Sequence, residues 1–398
     1  MHGIFTLLAT STHVESLDGD WLWALIKAIA FVGIFLTIVP VMTWVERRGS
    51  AFIQDRVGPN RITVFGIKNA GLLFPMADGL KFLFKEDFLP EKAEKILYTL
   101  APMMIMIPAF IVYAVVPFSS PIMHESVADD GAITRYIFSI QIAPNLGVGL
   151  LFVFAIASLG TYGIIVGGWS GGSKYSFLGS MRACAQMISY EIPLTLSVIG
   201  ILMVYQTLSL QGMVAHQTGG GLLGISWLPH WGIFVQPLGF ILFLVCAFAE
   251  TNRAPFDVVE SDSELVAGFH TDYSGFKFAL FFMAEYASMV TMSALIVILF
   301  FGGWHIPIIT PENPGSYLID WFRGFDMSLL WASILTTVIH FAVFMAKTGF
   351  FLWLFIWVRW TLPRFRYDQL QALGWKVLLP LGLVNVAITA LLLLFYGM

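Results

Sequence analysis

Eight stretches of this chain are apolar for long enough to cross the ~30 Å hydrocarbon layer of a bilayer, and no other feature constrains its fold as much. They run near Leu22 to Trp44, Ile96 to Val116, Leu146 to Val166, Ala183 to Val204, Ile233 to Phe248, Phe276 to Phe301, Leu329 to Val358 and Val377 to Tyr396. Hydrocarbon cannot satisfy free backbone N–H and C=O groups, so only helices and closed barrels span it. The runs are continuous rather than alternating with period two, which selects helices. The sequence therefore predicts an all-α polytopic membrane protein with about eight transmembrane helices. A composition of 58% hydrophobic and 12% charged residues excludes a soluble domain of 398 residues.

The connections between the runs set an orientation. Segments 46–95, 167–182, 250–277 and 359–376 hold 17 Lys and Arg, whereas the opposite set holds only Arg135 and Arg323, and Lys27 and Lys347 fall inside runs. Basic residues collect on the cytoplasmic side, so both termini are expected on the outer, periplasmic face of an inner membrane. Residues 1–20 read as an outer N-terminal segment; lacking Lys and Arg, they make a poor secretory signal. Residues 21–398 read as a single membrane domain. In the first inner connection, apolar residues recur at helical spacing from Val64 to Phe84 around Lys68, Asp78 and Lys81, the pattern of an amphipathic helix on the membrane surface. The outer connections are rich in Gly, Pro and Trp and read as packed interfacial loops. No internal repeat is evident, which argues against an inverted-repeat transporter.

Cys184 and Cys246 both lie within apolar runs, so no disulfide framework or CxxC metal pattern is available, and any redox cofactor is expected in a partner. His270 has no second His or Cys at metal spacing and reads as a hydrogen-bonded loop residue.

Ionisable residues within apolar runs are costly and are functional candidates by default. Glu191, in ACAQMISYEIPLTL, and Glu285, in FFMAEYASM, are the two acids so placed, with Pro193 positioned to loosen the helix beside Glu191. The competing reading is a protonated carboxyl hydrogen-bonded between helices. The inner connection AETNRAPFDVVESDSELVAGFHTDYSG places Glu250, Asp257, Glu260, Asp262, Glu264 and Asp272 against Arg253 and the flanking Lys277. Acids crowded at low dielectric raise one another's pKa and can exchange protons near neutral pH. An acidic loop docking a basic partner would show the same composition. Opposite charge comes from Arg47, Arg48, Arg56 and Arg61, which follow the first run with Glu46 and Gln54, and from the Arg-rich, aromatic segment 359–376. Lys347, deep in its run, is expected either to pair with a carboxylate or to snorkel to the interface. Together these residues describe a polar inner vestibule from which acids lead into the membrane.

The segments ERRGSAFIQDRVGPNR, PMADGLKFLFKED, MRACAQMISYE, AETNRAPFDVVESDSELVAGFH, FFMAEY and LPRFRYDQLQALGWK occur in that order. They resemble the H subunit of bacterial respiratory complex I, the counterpart of mitochondrial subunit 1. The resemblance implies the membrane subunit of a proton-translocating NADH:quinone oxidoreductase, with quinone as substrate and no cofactor bound by this chain. Iron–sulfur clusters and FMN would sit in peripheral partner subunits, and antiporter-like subunits would be membrane partners. It further implies a quinone chamber lined by Glu46, Arg47, Gln54, Arg56, Asp78, Arg182, Arg253 and Asp257, and a proton-carrying acid series of Glu191, Glu250, Glu260, Asp262 and Glu285. Asp262 and Asp272 stand where the family more often has Glu, which withdraws each carboxylate by a methylene. The alternative is the corresponding subunit of a membrane-bound hydrogenase or formate hydrogenlyase; the fuller match at RVGPNR and RFRYDQL favours the quinone enzyme.

Overall fold

The computed structural model of the chain describes residues 13–16, 21–60, 63–64, 67–68, 71–127, 133–144, 146–218, 229–257, 267–306 and 314–396. Its helices are α1 (Trp21–Ile53), α2 (Phe74–Phe84), α3 (Lys95–Ile111), α4 (Gly149–Ser170), α5 (Lys174–Tyr205), α6 (Leu210–Gln217) and α7 (Gly232–Val235). There follow α8 (Pro237–Glu250), α9 (Gly275–Phe300), α10 (Pro314–Arg323), α11 (Leu329–Thr361), α12 (Tyr367–Leu373) and α13 (Leu379–Tyr396). A π-helical turn, Gly374–Leu378, joins α12 to α13, so the last crossing is one helical run. Seven helical runs among the described residues are long and apolar enough to cross a membrane, and α8 is a shorter apolar eighth. The predicted run Ile233 to Phe248 is divided because Gln236 leaves helical geometry and Pro237 opens α8, a position where its missing N–H costs nothing. The surface helix expected over Val64 to Phe84 forms only from Phe74, as α2, with Val64 and Ile67–Lys68 in short strands instead; α2 leaves Met76, Leu80, Leu83 and Phe84 exposed along one stripe.

Burial identifies the centre of the bundle. The most apolar window of α9 is 78% buried inside the chain, against 17% for α1, so α9 is the core post and α1 lies at the periphery. Around α9 pack α1, α2, α3, α6, α8 and α11. Both α1 and α11 have 33 residues and are therefore ~50 Å long, so they outrun a ~30 Å hydrocarbon layer. Their C-terminal turns carry Glu46 and Arg359 to the basic end of the bundle.

At the opposite end the structure holds strands that helical periodicity did not announce. Strand β4 (Ile122–Val127) pairs antiparallel with β5 (Ile133–Phe138), and β5 pairs parallel with β1 (His13–Ser16). Strand β5, ITRYIF, is rich in β-branched and aromatic residues, which suit a pleated surface. The sheet is anchored where α11 begins, by the Ser333 hydroxyl donating to the Met123 carbonyl at 2.9 Å. A small antiparallel hairpin pairs β2 (Thr63–Val64) with β3 (Ile67–Lys68) ahead of α2.

Lys347 fulfils neither of its two expected roles. Its ammonium donates to the carbonyls of Phe301, Gly303 and His305 at 2.8, 2.9 and 2.7 Å, immediately beyond the end of α9. Carbonyls there have no helical donor, and a cation complements the negative end of the helix dipole.

Candidate functional site at the basic end of the bundle

Contacts between charged groups draw the four basic connections together at one end. Arg253 reaches Glu46 at 3.3 Å, Arg359 pairs with the other oxygen of Glu46, Arg364 reaches Asp257 at 3.3 Å, and Lys277 reaches Asp87 at 2.9 Å. Arg182 stacks over the Tyr367 ring at 5.5 Å, tying the second connection to the fourth. The positive segments that were separate in sequence thus form one surface.

Glu46 is the hub of this surface. Its carboxylate accepts from Arg253, Arg359 and the Tyr286 hydroxyl, and both Glu46 and Arg253 are only 5% exposed. Arg253 also lies over the Tyr286 ring at 4.2 Å, while its Nε and Nη2 find no hydrogen-bond partner among the described residues. Buried donors left over in this way mark a place where a polar ligand or water would be satisfied. Beside the hub lies a cavity of about 240 Å³ whose wall includes Glu46, Arg47, Arg56, Tyr286, Arg359 and Trp360.

A second, smaller cavity of about 70 Å³ lies on another face of α9 and is lined by Glu250, Glu285, Asn252, Ser288 and Thr291. Glu250 Oε2 is buried with no hydrogen-bond partner among the described residues. The turn after α8 that presents Glu250 is held by Gln186, whose amide donates to the carbonyls of Ala249 and Phe256, each at 2.9 Å. Glu191 is half-buried on the helical turn after Met187, and Met187 lines the same cavity. Pro193 leaves α5 continuous. His270 Nε2 stands 3.9 Å from Glu285, but burial pushes the imidazole down to about 3 from its ordinary 6.5, so it faces the carboxylate as a neutral ring. Nearby, burial raises the Asp272 carboxyl above the ordinary carboxylate range, opposed by a hydrogen bond from Ser176.

Charged residues adjacent in sequence take other partners. Arg47 meets Asp78 of α2 at 2.6 Å and lies 5.0 Å over the Phe74 ring, rather than pairing with Glu46. Arg56 donates to Gln54 at 2.7 Å, and Asp257, 3% exposed, takes Arg364. Arg47 follows Glu46 within α1 and so points about 100° away from it, and Arg56 sits in the turn after α1, whereas Arg253 and Arg359 arrive from other elements. Glu260, Asp262, Glu264 and Arg61 lie outside the described residues. Sequence reasoning singled out neither Tyr286, Arg359, Arg364 nor Gln186. One signal was present: Glu285 and Tyr286, adjacent in a mostly apolar helix, point about 100° apart and must face different neighbours.

The NADH dehydrogenase family matches residues 26–390. This chain belongs to that family. It is 46% identical over 376 residues to the H subunit of the NADH-quinone oxidoreductase of Bdellovibrio bacteriovorus, covering 92% of this chain and 95% of that one. An H subunit of the NADH-quinone oxidoreductase of Rhizobium meliloti is 44% identical over 370 residues, with 92% and 97% covered. The corresponding H subunit of Flavobacterium psychrophilum is 39% identical over 378 residues, with 93% and 97% covered. The chain is thus a multi-pass inner-membrane subunit of an NADH-quinone oxidoreductase, an enzyme complex. Among its described residues no group of three or more His, Cys, Asp or Glu is placed to hold a metal ion.

Proposed function

We propose that the chain forms the membrane-side wall of a quinone chamber and the start of the acidic path that couples quinone reduction to proton pumping. The observation that carries this reading is the division made by α9: Tyr286 faces the Glu46 cavity, and Glu285, the residue before it, faces the cavity shared with Glu250. The connection after α8 repeats the division, since Glu250 lines the acid cavity while Arg253 binds Glu46.

A quinone that takes electrons from an iron–sulfur cluster in a peripheral partner gains negative charge on its oxygens before it is protonated. In the larger cavity those oxygens would compete with Glu46 for Arg253, Arg359 and the Tyr286 hydroxyl. Arg47, Gln54, Arg56, Asp78, Arg182 and Asp257 keep the approach polar. Weakening the hold on Glu46 changes the field across one helix diameter, in a low-dielectric interior where charges are felt strongly. The acid cavity has room for a few waters, and its carboxyls can then exchange protons with Glu191, Glu260 and Asp262 toward antiporter-like membrane subunits. The peripheral subunits, with FMN and the clusters, would dock on the basic surface; the charge count supports a cytoplasmic position for it, with both termini outside.

The test is Glu285→Gln beside Tyr286→Phe in the assembled enzyme. Gln keeps size and hydrogen bonding but cannot exchange a proton. Glu285→Gln should lower quinone reduction and pumping together while NADH oxidation by a hydrophilic artificial acceptor persists; Tyr286→Phe should lower quinone reduction with an unchanged proton-to-electron ratio. If Glu285→Gln and Glu191→Gln both pump at wild-type rate and ratio in sealed vesicles, the acids are packing elements and the coupling role is wrong.

A further inference from the structure

The two cavities above leave unexplained a third of about 450 Å³, on the side of the bundle where α1 begins. It separates α1 from α11, and its wall is almost entirely apolar, with Phe31, Phe35, Phe344, Met345 and Gly349 prominent. Lys27 closes one end, its ammonium already donating to the Gln141 carbonyl at 3.2 Å and lying 4.6 Å over the Phe138 ring. Water gains little in such a space, since an ordered water needs two to four polar partners. An empty space would forfeit the dispersion contacts of every side chain around it.

The dimensions restrict what fills it. The wall runs from Lys27 to Met42 of α1, about 22 Å, so a volume of about 450 Å³ is a channel roughly 5 Å across. A helix with side chains is ~10–12 Å wide and does not fit. A single hydrocarbon chain does. At the position of Gly349 a Cβ would meet nothing within 4 Å, so α11 leaves room there instead of closing on α1. Phe350 at 57% and Trp353 at 46% exposure give α11 an apolar outer face, and Val338 and Ile34 of the cavity wall are themselves exposed, so the cavity opens onto the apolar flank of the bundle.

We propose that this cavity is a binding site for one acyl chain of a membrane phospholipid, entering from the leaflet on the side where α1 begins and filling the gap between α1 and α11. The chain spaces α1, which carries Glu46, from α11, which carries Arg359. No residue lines both this cavity and the Glu46 cavity, and the proposal stands whether or not the quinone reading holds.

The test uses the assembled enzyme in vesicles containing a phospholipid with a diazirine midway along one acyl chain. After irradiation, peptide mapping should find adducts on the inward residues Phe344 and Met345 as well as on the outward Phe350 and Trp353. Gly349→Leu, which fills the cavity, should lose the inward adducts and keep the outward ones. Adducts confined to the outward residues of the wild-type enzyme would overturn the proposal. So would inward adducts that excess quinone with an isoprenoid tail displaces, which would assign the space to the quinone, or inward residues found cross-linked to another subunit. If Gly349→Leu fails to assemble, the wild-type map and the quinone competition decide.

Discussion

Removing the charge of Glu46 should damage the protein more than removing any exposed acid, and the damage should be repaired in part by a second substitution. Glu46 and Arg253 are each 5% exposed and their charged atoms lie 3.3 Å apart. At an effective dielectric constant of ~20, two unit charges at that distance attract by about 5 kcal/mol. Glu46→Gln forfeits this and leaves a buried guanidinium, Nε and Nη2 of which already lack partners among the described residues. Breaking a buried pair from one side costs ~3–5 kcal/mol, because the survivor stays charged in low dielectric. Arg253→Gln should cost a similar amount for the mirrored reason. The double variant Glu46→Gln, Arg253→Gln leaves no buried charge unbalanced between the two positions and should lose less than the sum of the singles by roughly 2–4 kcal/mol. The assay is the denaturant or temperature at which half of the assembled enzyme is retained, measured across the full cycle. Arg359, at 23% side-chain exposure, is partly screened, and Arg359→Gln should couple to Glu46→Gln more weakly. If the Glu46 and Arg253 effects add within ~0.5 kcal/mol, the two groups are energetically independent and the hub does not exist.

Further expectations are narrower. Cysteines introduced at 167–182 and 359–376 should be protected from impermeant thiol reagents in intact cells while those at 302–328 react; the reverse would invert the topology. Because burial lowers the His270 imidazole from 6.5 to about 3, the unfolded chain binds the extra proton between those values, so stability falls as pH drops through that window, by at most ~1.4 kcal/mol per unit. His270→Asn should make the loss of assembled enzyme between pH 7 and 5 shallower, and an unchanged slope would show that His270 does not carry it. Lys347→Met removes donors from three carbonyls and should lower heat stability without altering the proton-to-electron ratio; altered pumping in a fully assembled variant would make Lys347 a proton carrier instead of a cap.

What the sequence made legible, and what it left hidden, follows from the range of the forces involved. Crossing hydrocarbon is a demand on a single contiguous segment, so the spans could be read from local composition, α8 included despite its break at Pro237. The same locality exposed Glu191 and Glu285, because an ionisable group stands out against an apolar run. It also exposed the charge asymmetry whose segments the structure gathers at one end. Pairing is different. Arg253 and Arg359 meet Glu46 across 207 and 313 residues, and which guanidinium arrives depends on the tilt and azimuth of helices that local pattern does not fix. Arg47, adjacent to Glu46 in sequence, is not its partner, since α2 offers it Asp78. The sheet of β4, β5 and β1 was hidden for a related reason: β1 and β5 are more than a hundred residues apart, so their ladder leaves no local periodicity.

The division made by α9 lies between these cases. From FFMAEY alone it follows that Glu285 and Tyr286 diverge by about 100°, and it does not follow what either faces. That requires knowing that α9 is the most buried helix, with partners on all sides. At the periphery, one of the two residues would have faced lipid, where neither polar side chain is stable. At the centre both directions lead into protein, and each polar group can be given its own cavity. The helix that is least exposed is therefore the one able to stand between two polar cavities, with one residue of its adjacent polar pair lining each.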